Sequence, residues 1–245
     1  LFSHPKLVLI IAICVQLGAC GEGSWNNPYP SSEEEDSTYY SSFRERPKHL
    51  DPVSSYSENE AQFNGQIYEP VIQYHFLKRP YELIPLTATS VPKPEYRDAN
   101  GELLGTNATP EAVQSVIYRI KIQPGILFQP HPAFAMNAEG DLVYSGMSPD
   151  SLESYHTLAD FEQRGTRELT AADYIYQIKR LAHPHIHSPV AGFMGRYIVG
   201  LSELQAELKK TTTDKTKFID LRSYELAGVK QINRYVYEIH LSEKY

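Results

Sequence analysis

The sequence predicts an α/β fold, a mixed sheet with flanking helices, and three observations lead to it. Val116 to Ile122 alternates, with Val116, Tyr118, Ile120 and Ile122 on one side and Ile117, Arg119 and Lys121 on the other, the period of a half-exposed strand. Val229 to Ile232 and Tyr235 to Leu241, separated by Asn233-Arg234, read as a hairpin. Between these strands lie two segments with helical apolar spacing. Helices therefore interrupt the strands, and hairpins stand where strict strand–helix–strand repeats would otherwise run.

The chain has 245 residues, 11% of them aromatic and 18 of them tyrosines, which is enough to build one large core or two small ones. The net charge of −7, with Lys and Arg scattered, argues against a nucleic-acid partner, which calls for a basic stripe. The sequence opens on Leu1 and closes on Tyr245 just after a strand-like run. It reads as a fragment at both ends, since the last hairpin has no following element to cover it.

Leu7 to Leu17 is an apolar run behind Lys6, too short to span a bilayer and suited to the core of a signal peptide. It leads into Leu17-Gly18-Ala19-Cys20, small residues ahead of a cysteine, which resembles a bacterial lipobox. Residues 1–19 are thus expected to be a lipoprotein signal peptide, with Cys20 as the lipid attachment. Cleavage there would remove Cys14 and leave one acylated cysteine and no disulfide. Residues 20–42 are rich in Ser, Gly and acids and show neither helical nor strand period, so they read as a solvated tether holding Trp25. The domain proper is expected over 43–245.

Its opening block, Phe43 to Leu86, reads as strand, turn, helix, strand. Leu50-Asp51-Pro52 closes the extended lead-in, because proline fixes its own φ and keeps the preceding residue out of helix. Ser57 precedes Glu58-Asn59-Glu60 as an N-cap with first-turn acids, and Phe63 and Ile67 share one face. Glu69-Pro70 stops the helix, and Val71 to Tyr74 and Pro80 to Leu86 read as strands. Thr87 to Pro94 is proline-broken loop, and Asp98 to Gly101 is a turn between strands.

Gln123-Pro124-Gly125 turns the alternating strand. Met136 to Gly165 is a polar insertion with a helical piece near Leu152 to Phe161. Thr170, with Asp173 three residues later, starts a helix whose Tyr174, Ile178, Leu181 and Ala182 share a face and which Pro184 ends. Ser202 to Lys210 is a second helix, with Leu201, Leu204 and Leu208 along one side and its lysines late, as the helix dipole favours. Thr211 to Lys217 is a polar loop.

In their order, four of these pieces resemble the extracellular solute-binding proteins of family 5, the dipeptide-, oligopeptide- and nickel-binding lipoproteins of ABC importers. Leu50-Asp51-Pro52 with Tyr68-Glu69-Pro70-Val71 is similar to the family's opening. Leu83 to Ala88 is similar to its L-x-P-x-L-A segment, Tyr118 to Phe128 to its Y-x-F-x-L-R-x-G-V-x-F strand, and Leu169 to Tyr174 to its TAxD helix start. The resemblance implies a periplasmic-binding-protein-like, two-lobed clamp of which this chain holds the N-terminal part, and which is not expected to fold stably without the rest. It implies a protein lipid-anchored to the cell envelope on the periplasmic side, with a peptide ligand and a permease and ATPase complex as partners. One wall of the cleft would come from Ser54, Ser55, Tyr56, Glu58, Asn59 and Phe63, where polar and aromatic groups meet a helix N-terminus. The alternatives are a nickel or metal-chelate binder of the same family and a structural envelope lipoprotein.

No metal site or cofactor is expected. His183-Pro184-His185-Ile186-His187, with His131 elsewhere, has ligand chemistry, but the patch reads better as a polar helix end where histidine suits the dipole. Asp51, Glu69, Asp173 and His131 could form an acid/base set. The chain carries no G-x-S-x-G, H-E-x-x-H or S-x-x-K signature with partners, so it is not expected to be an enzyme.

Overall fold

The stretch around Val116 to Ile122 lies where its alternation demands, in the middle of a five-stranded sheet. A computed structural model describes residues 41–211 and 218–244. Residues 1–40, with the expected signal peptide, the expected lipid-attachment residue Cys20 and the Trp25 of the expected tether, and the segment 212–217 lie outside the described residues. The chain divides between Glu45 and Arg46, where composition places the boundary at Ser42–Phe43, and everything below concerns Arg46–Tyr245.

The elements are α1 (Glu58–Ile67), β1 (Ile72–Tyr74), β2 (Leu83–Pro85), β3 (Pro94–Arg97), β4 (Leu103–Leu104) and β5 (Ser115–Lys121). They continue as α2 (Pro149–Leu152), α3 (Ala171–Arg180), α4 (Ala191–Tyr197), α5 (Leu201–Thr211), β6 (Val229–Asn233) and β7 (Val236–Leu241). Strands β1 and β2 form a separate two-stranded hairpin, and the main sheet has the order β4-β3-β5-β7-β6. Helices and strands together make this an α/β protein in the coarse sense.

The sheet is not mixed. Among the described residues every strand pairing is antiparallel. Strand β6 does run in the direction of β5, but the tight turn after it folds β7 back into the gap between them. A parallel contact is thereby prevented, and the last strand of the hairpin becomes an interior strand.

Register explains the alternation. Ile120 faces Tyr237 and Val116 faces Leu241 across β5 and β7, and this side is buried under helices. On the other side Arg119 faces Glu238, whose Oε1 accepts from Arg119 Nε (2.9 Å) and Nη2 (2.7 Å). Glu238 Oε2 lies 3.1 Å from His240 Nε2. Glu238 is therefore buried with both oxygens engaged, as a buried carboxylate must be. The core lies between the sheet and helices α3 and α5. Leu201, Leu204 and Leu208 are nearly inaccessible there, and each contributes about 1.5–3 kcal/mol by leaving water.

Three further expectations change. No strand precedes α1 among the described residues; Asp51 curls the chain into a turn instead. The insertion holds two short pieces, α2 and a 3-10 turn at Leu158–Asp160, because Ser148 and Thr157 each cap a separate start. The expected face of α3 does meet the core, with Ala182 buried and Tyr174, Ile178 and Leu181 packed against it, and Ala171 and Ile175 join it. Helix α4 has no counterpart in the sequence reading; its Ala-Gly-Phe-Met-Gly-Arg-Tyr has poor intrinsic helix propensity and follows Pro189.

Candidate ligand-binding site

Asp51 organises the opening turn. Its carbonyl accepts from Ser54 N (3.0 Å) and Ser55 N (2.9 Å), and its Oδ1 accepts from Val53 N (3.1 Å). Val53 is buried beneath the turn. The same carboxylate forms a two-pronged ion pair with Arg180 at the end of α3, with Arg180 Nη1 donating to Oδ1 at 3.0 Å and Nη2 donating to Oδ2. Burial works against the charge on Asp51, but the Arg180 and Val53 bonds outweigh it and hold the carboxyl below its usual range.

The start of α1 already holds a carboxylate. Glu60 reaches back from the third helical position in a capping box with Ser57. Its Oε1 accepts from Lys48 N (3.1 Å) and His49 N (2.9 Å), and its Oε2 from Tyr56 N (3.1 Å) and Ser57 N (3.3 Å). Burial opposes ionisation here too, yet the backbone donors Tyr56, His49 and Ser57 bring the carboxyl down to about 2. The amides of Tyr56 and Ser57, just ahead of the helix, are thus occupied by the protein's own carboxylate.

The six wall residues are brought together around this turn and helix start. Tyr56 is 76% exposed and Glu58 is exposed, while Ser54, Ser55, Asn59 and Phe63 are half-buried. Two concavities lie elsewhere. One, of about 590 Å³, is lined by Thr170, Ala172 and the β6–β7 turn from Gln231 to Arg234; the other, about 370 Å³, lies between α5 and Ala227. Neither contains any of the six.

A second polar junction fixes the opening block to α3. The Tyr174 hydroxyl donates to Glu69 O (2.9 Å) and lies 2.6 Å from Thr87 Oγ1. Its ring stacks on Tyr237, and burial raises the phenol above its ordinary range. Thr87 to Thr89 is stitched to the end of β5: Thr89 N donates to Lys121 O (2.8 Å), Gln123 N to Thr87 O (2.9 Å), and Gln123 Nε2 to Leu86 O (3.1 Å) and Ala88 O (3.0 Å). Gly125, at φ +84°, makes the next turn possible. Glu168 then ties that turn to the β6–β7 hairpin, accepting from Gly125 N (2.7 Å), the Tyr235 hydroxyl (2.9 Å) and Arg234 Nη2 (2.7 Å). The Arg234, Gly125 and Tyr235 bonds keep the Glu168 carboxyl low.

Sequence reasoning missed Arg180 and the Glu168–Arg234 pair. Each joins residues distant in the chain, and nothing local marks either partner. The histidines have structural employment: His131 Nδ1 accepts from Ala133 N (3.1 Å), and His183 Nδ1 from His185 N (3.1 Å). Burial, then the neighbouring His185 and Arg180, lowers the His183 pKa. Among the described residues no three His, Cys, Asp or Glu side chains gather to hold a metal ion. Of the acid/base set, Asp51 pairs with Arg180, and Asp173 pairs with Arg167 and accepts from Thr170 N at 2.8 Å. Among the described residues no helix is long and apolar enough to cross a membrane.

No protein-family model matches the chain, and neither does any curated protein or any solved structure.

Proposed function

We propose that the chain is the substrate-binding component of an ABC importer, capturing peptides on the periplasmic side and handing them to a permease driven by an ATPase. One convergence supports the reading. The four blocks that carry the family resemblance lie far apart in sequence, and one connected set of hydrogen bonds links them. Glu69 O and Thr87 meet Tyr174, and Gln123 meets Leu86, Thr87 and Ala88. In this proposal the opening block is one wall of a periplasmic-binding-protein-like clamp, delivered to the envelope by lipid on Cys20.

Because the Glu60 carboxylate already stands beside the start of α1, it would repel a peptide's C-terminal carboxylate there. It would offer the hydroxyls of Ser54 and Ser55, the ring of Tyr56 and the side chains of Glu58, Asn59 and Phe63 to the peptide's main chain and side chains. Thermal unfolding of the full-length protein with di-, tri- and oligopeptides tests this. Binding raises Tm as ligand exceeds its dissociation constant, by about 2.7 kcal/mol of added stability at a hundredfold excess. A shift with nickel and none with peptides would move the ligand to metal chelates. No shift across the panel would favour a structural envelope lipoprotein.

A further inference from the structure

The β1–β2 hairpin leaves its largest apolar side chains bare. Phe76 is 82% and Leu77 72% exposed at the tip, with Tyr74 at 63% and Tyr81 at 69% behind them. The tip is nevertheless an ordered piece of backbone. His75 N donates to Glu82 O (2.8 Å), His75 Nδ1 accepts from Leu77 N (3.2 Å), and Arg79 Nη1 donates to Lys78 O (2.8 Å) and Phe76 O (3.3 Å). Tyr74 and Tyr81 meet edge-on at 5.6 Å, and Arg79 sits 4.4 Å over the Tyr81 ring. Polar groups are satisfied inward while the apolar ones point outward.

Cations flank the bare pair. Lys78 and Arg79 follow Phe76-Leu77 directly, with Glu82 as the acid that Lys78 pairs with at 2.9 Å. This basic tip belongs to a chain of net charge −7. An anionic bilayer repels such a chain as a whole and attracts it where cations stand beside an apolar wedge. The order along the hairpin matches the layers of a bilayer surface: Phe and Leu foremost for the acyl boundary, then Lys and Arg for lipid phosphates, then a tyrosine pair at headgroup level.

We infer that the β1–β2 hairpin is a membrane-surface contact that inserts Phe76 and Leu77 into an anionic phospholipid bilayer, with Lys78 and Arg79 on the headgroup phosphates. The inference does not rest on the transport reading, and peptide binding is measured separately.

The test is flotation of the chain from residue 20 onward carrying Cys20→Ser, so that neither the apolar run Leu7 to Leu17 nor an acyl chain on Cys20 contributes. Vesicles of phosphatidylcholine alone are compared with vesicles containing phosphatidylglycerol. The chain is expected to float with the anionic vesicles and far less with the neutral ones. Phe76→Ser with Leu77→Ser lowers the bound fraction about tenfold or more. Lys78→Glu with Arg79→Glu lowers it by about fivefold per charge on anionic vesicles and leaves the neutral ones unaffected. Far-UV circular dichroism of both variants stays unchanged, because the substituted side chains are exposed. Absence of binding to any vesicle, or binding that the Phe76/Leu77 variant retains, would overturn the inference and leave the tip to a protein partner.

Discussion

At Tyr174 a hydroxyl bonds to Glu69 in the opening block and to Thr87 just after it, and the ring stacks on Tyr237; at Tyr81 the ring stands mostly in solvent with an arginine on its face. The same residue type serves packing in one place and presentation in the other. The difference lies in what surrounds it. Around α3, Tyr174 finds partners at Glu69 and Thr87, Lys179 at the carbonyls of Leu221 and Tyr224, and Arg180 at Asp51. On the β1–β2 hairpin Tyr74, Arg79 and Tyr81 touch one another, and Phe76 and Leu77 stand bare. Stability should therefore reside around α3, and surface recognition at the hairpin.

The sharpest way to break that contrast is a core truncation. Leu208→Ala, on the buried face of α5, should cost about 2–5 kcal/mol in urea denaturation, while Phe76→Ala should stay within about 0.5 kcal/mol. Equal effects would dissolve the comparison. Tyr174→Phe should cost about 1–2 kcal/mol, because it strips a hydroxyl from buried Thr87 and from Glu69 O. Asp51→Asn should cost about 1 kcal/mol, the Arg180 pair being partly exposed and hence partly screened.

The smallest expected effect is in acid. Glu60 has an ordinary value of 4.5 and sits at about 2 when folded. Its contribution is complete above the ordinary value and disappears as pH falls toward about 2, since protonation then favours the unfolded chain. Glu60→Gln should be less stable than the parent at pH 7, and the gap should close between about pH 4.5 and pH 2 in parallel urea titrations. A gap that persists unchanged at low pH would assign the cap to shape alone.

What sequence made legible follows the same division. Periodicity located β5 and α5, whose buried residues recur within a few positions, and the Asn233-Arg234 turn between two apolar runs located the β6–β7 hairpin. Capping chemistry located α1 and α3, through Ser57 with Glu60 and Thr170 with Asp173. Pairing direction was not legible, because β7 reaches the sheet interior only by folding back on β6. Nor was the Asp51–Arg180 pair, whose partners are joined by tertiary packing alone. The wall residues illustrate the limit. A helix start reads as an anion site from sequence; in the fold the capping Glu60 carboxylate already stands beside it, on the amides of Tyr56 and Ser57.

Calorimetric titration of the full-length protein with oligopeptides tests the central proposal most directly. The account expects saturable heat at one peptide per chain, a negative heat-capacity change from the buried apolar surface, and weaker binding in Tyr56→Ala. No heat with any peptide, under conditions where the protein unfolds cooperatively, would contradict it.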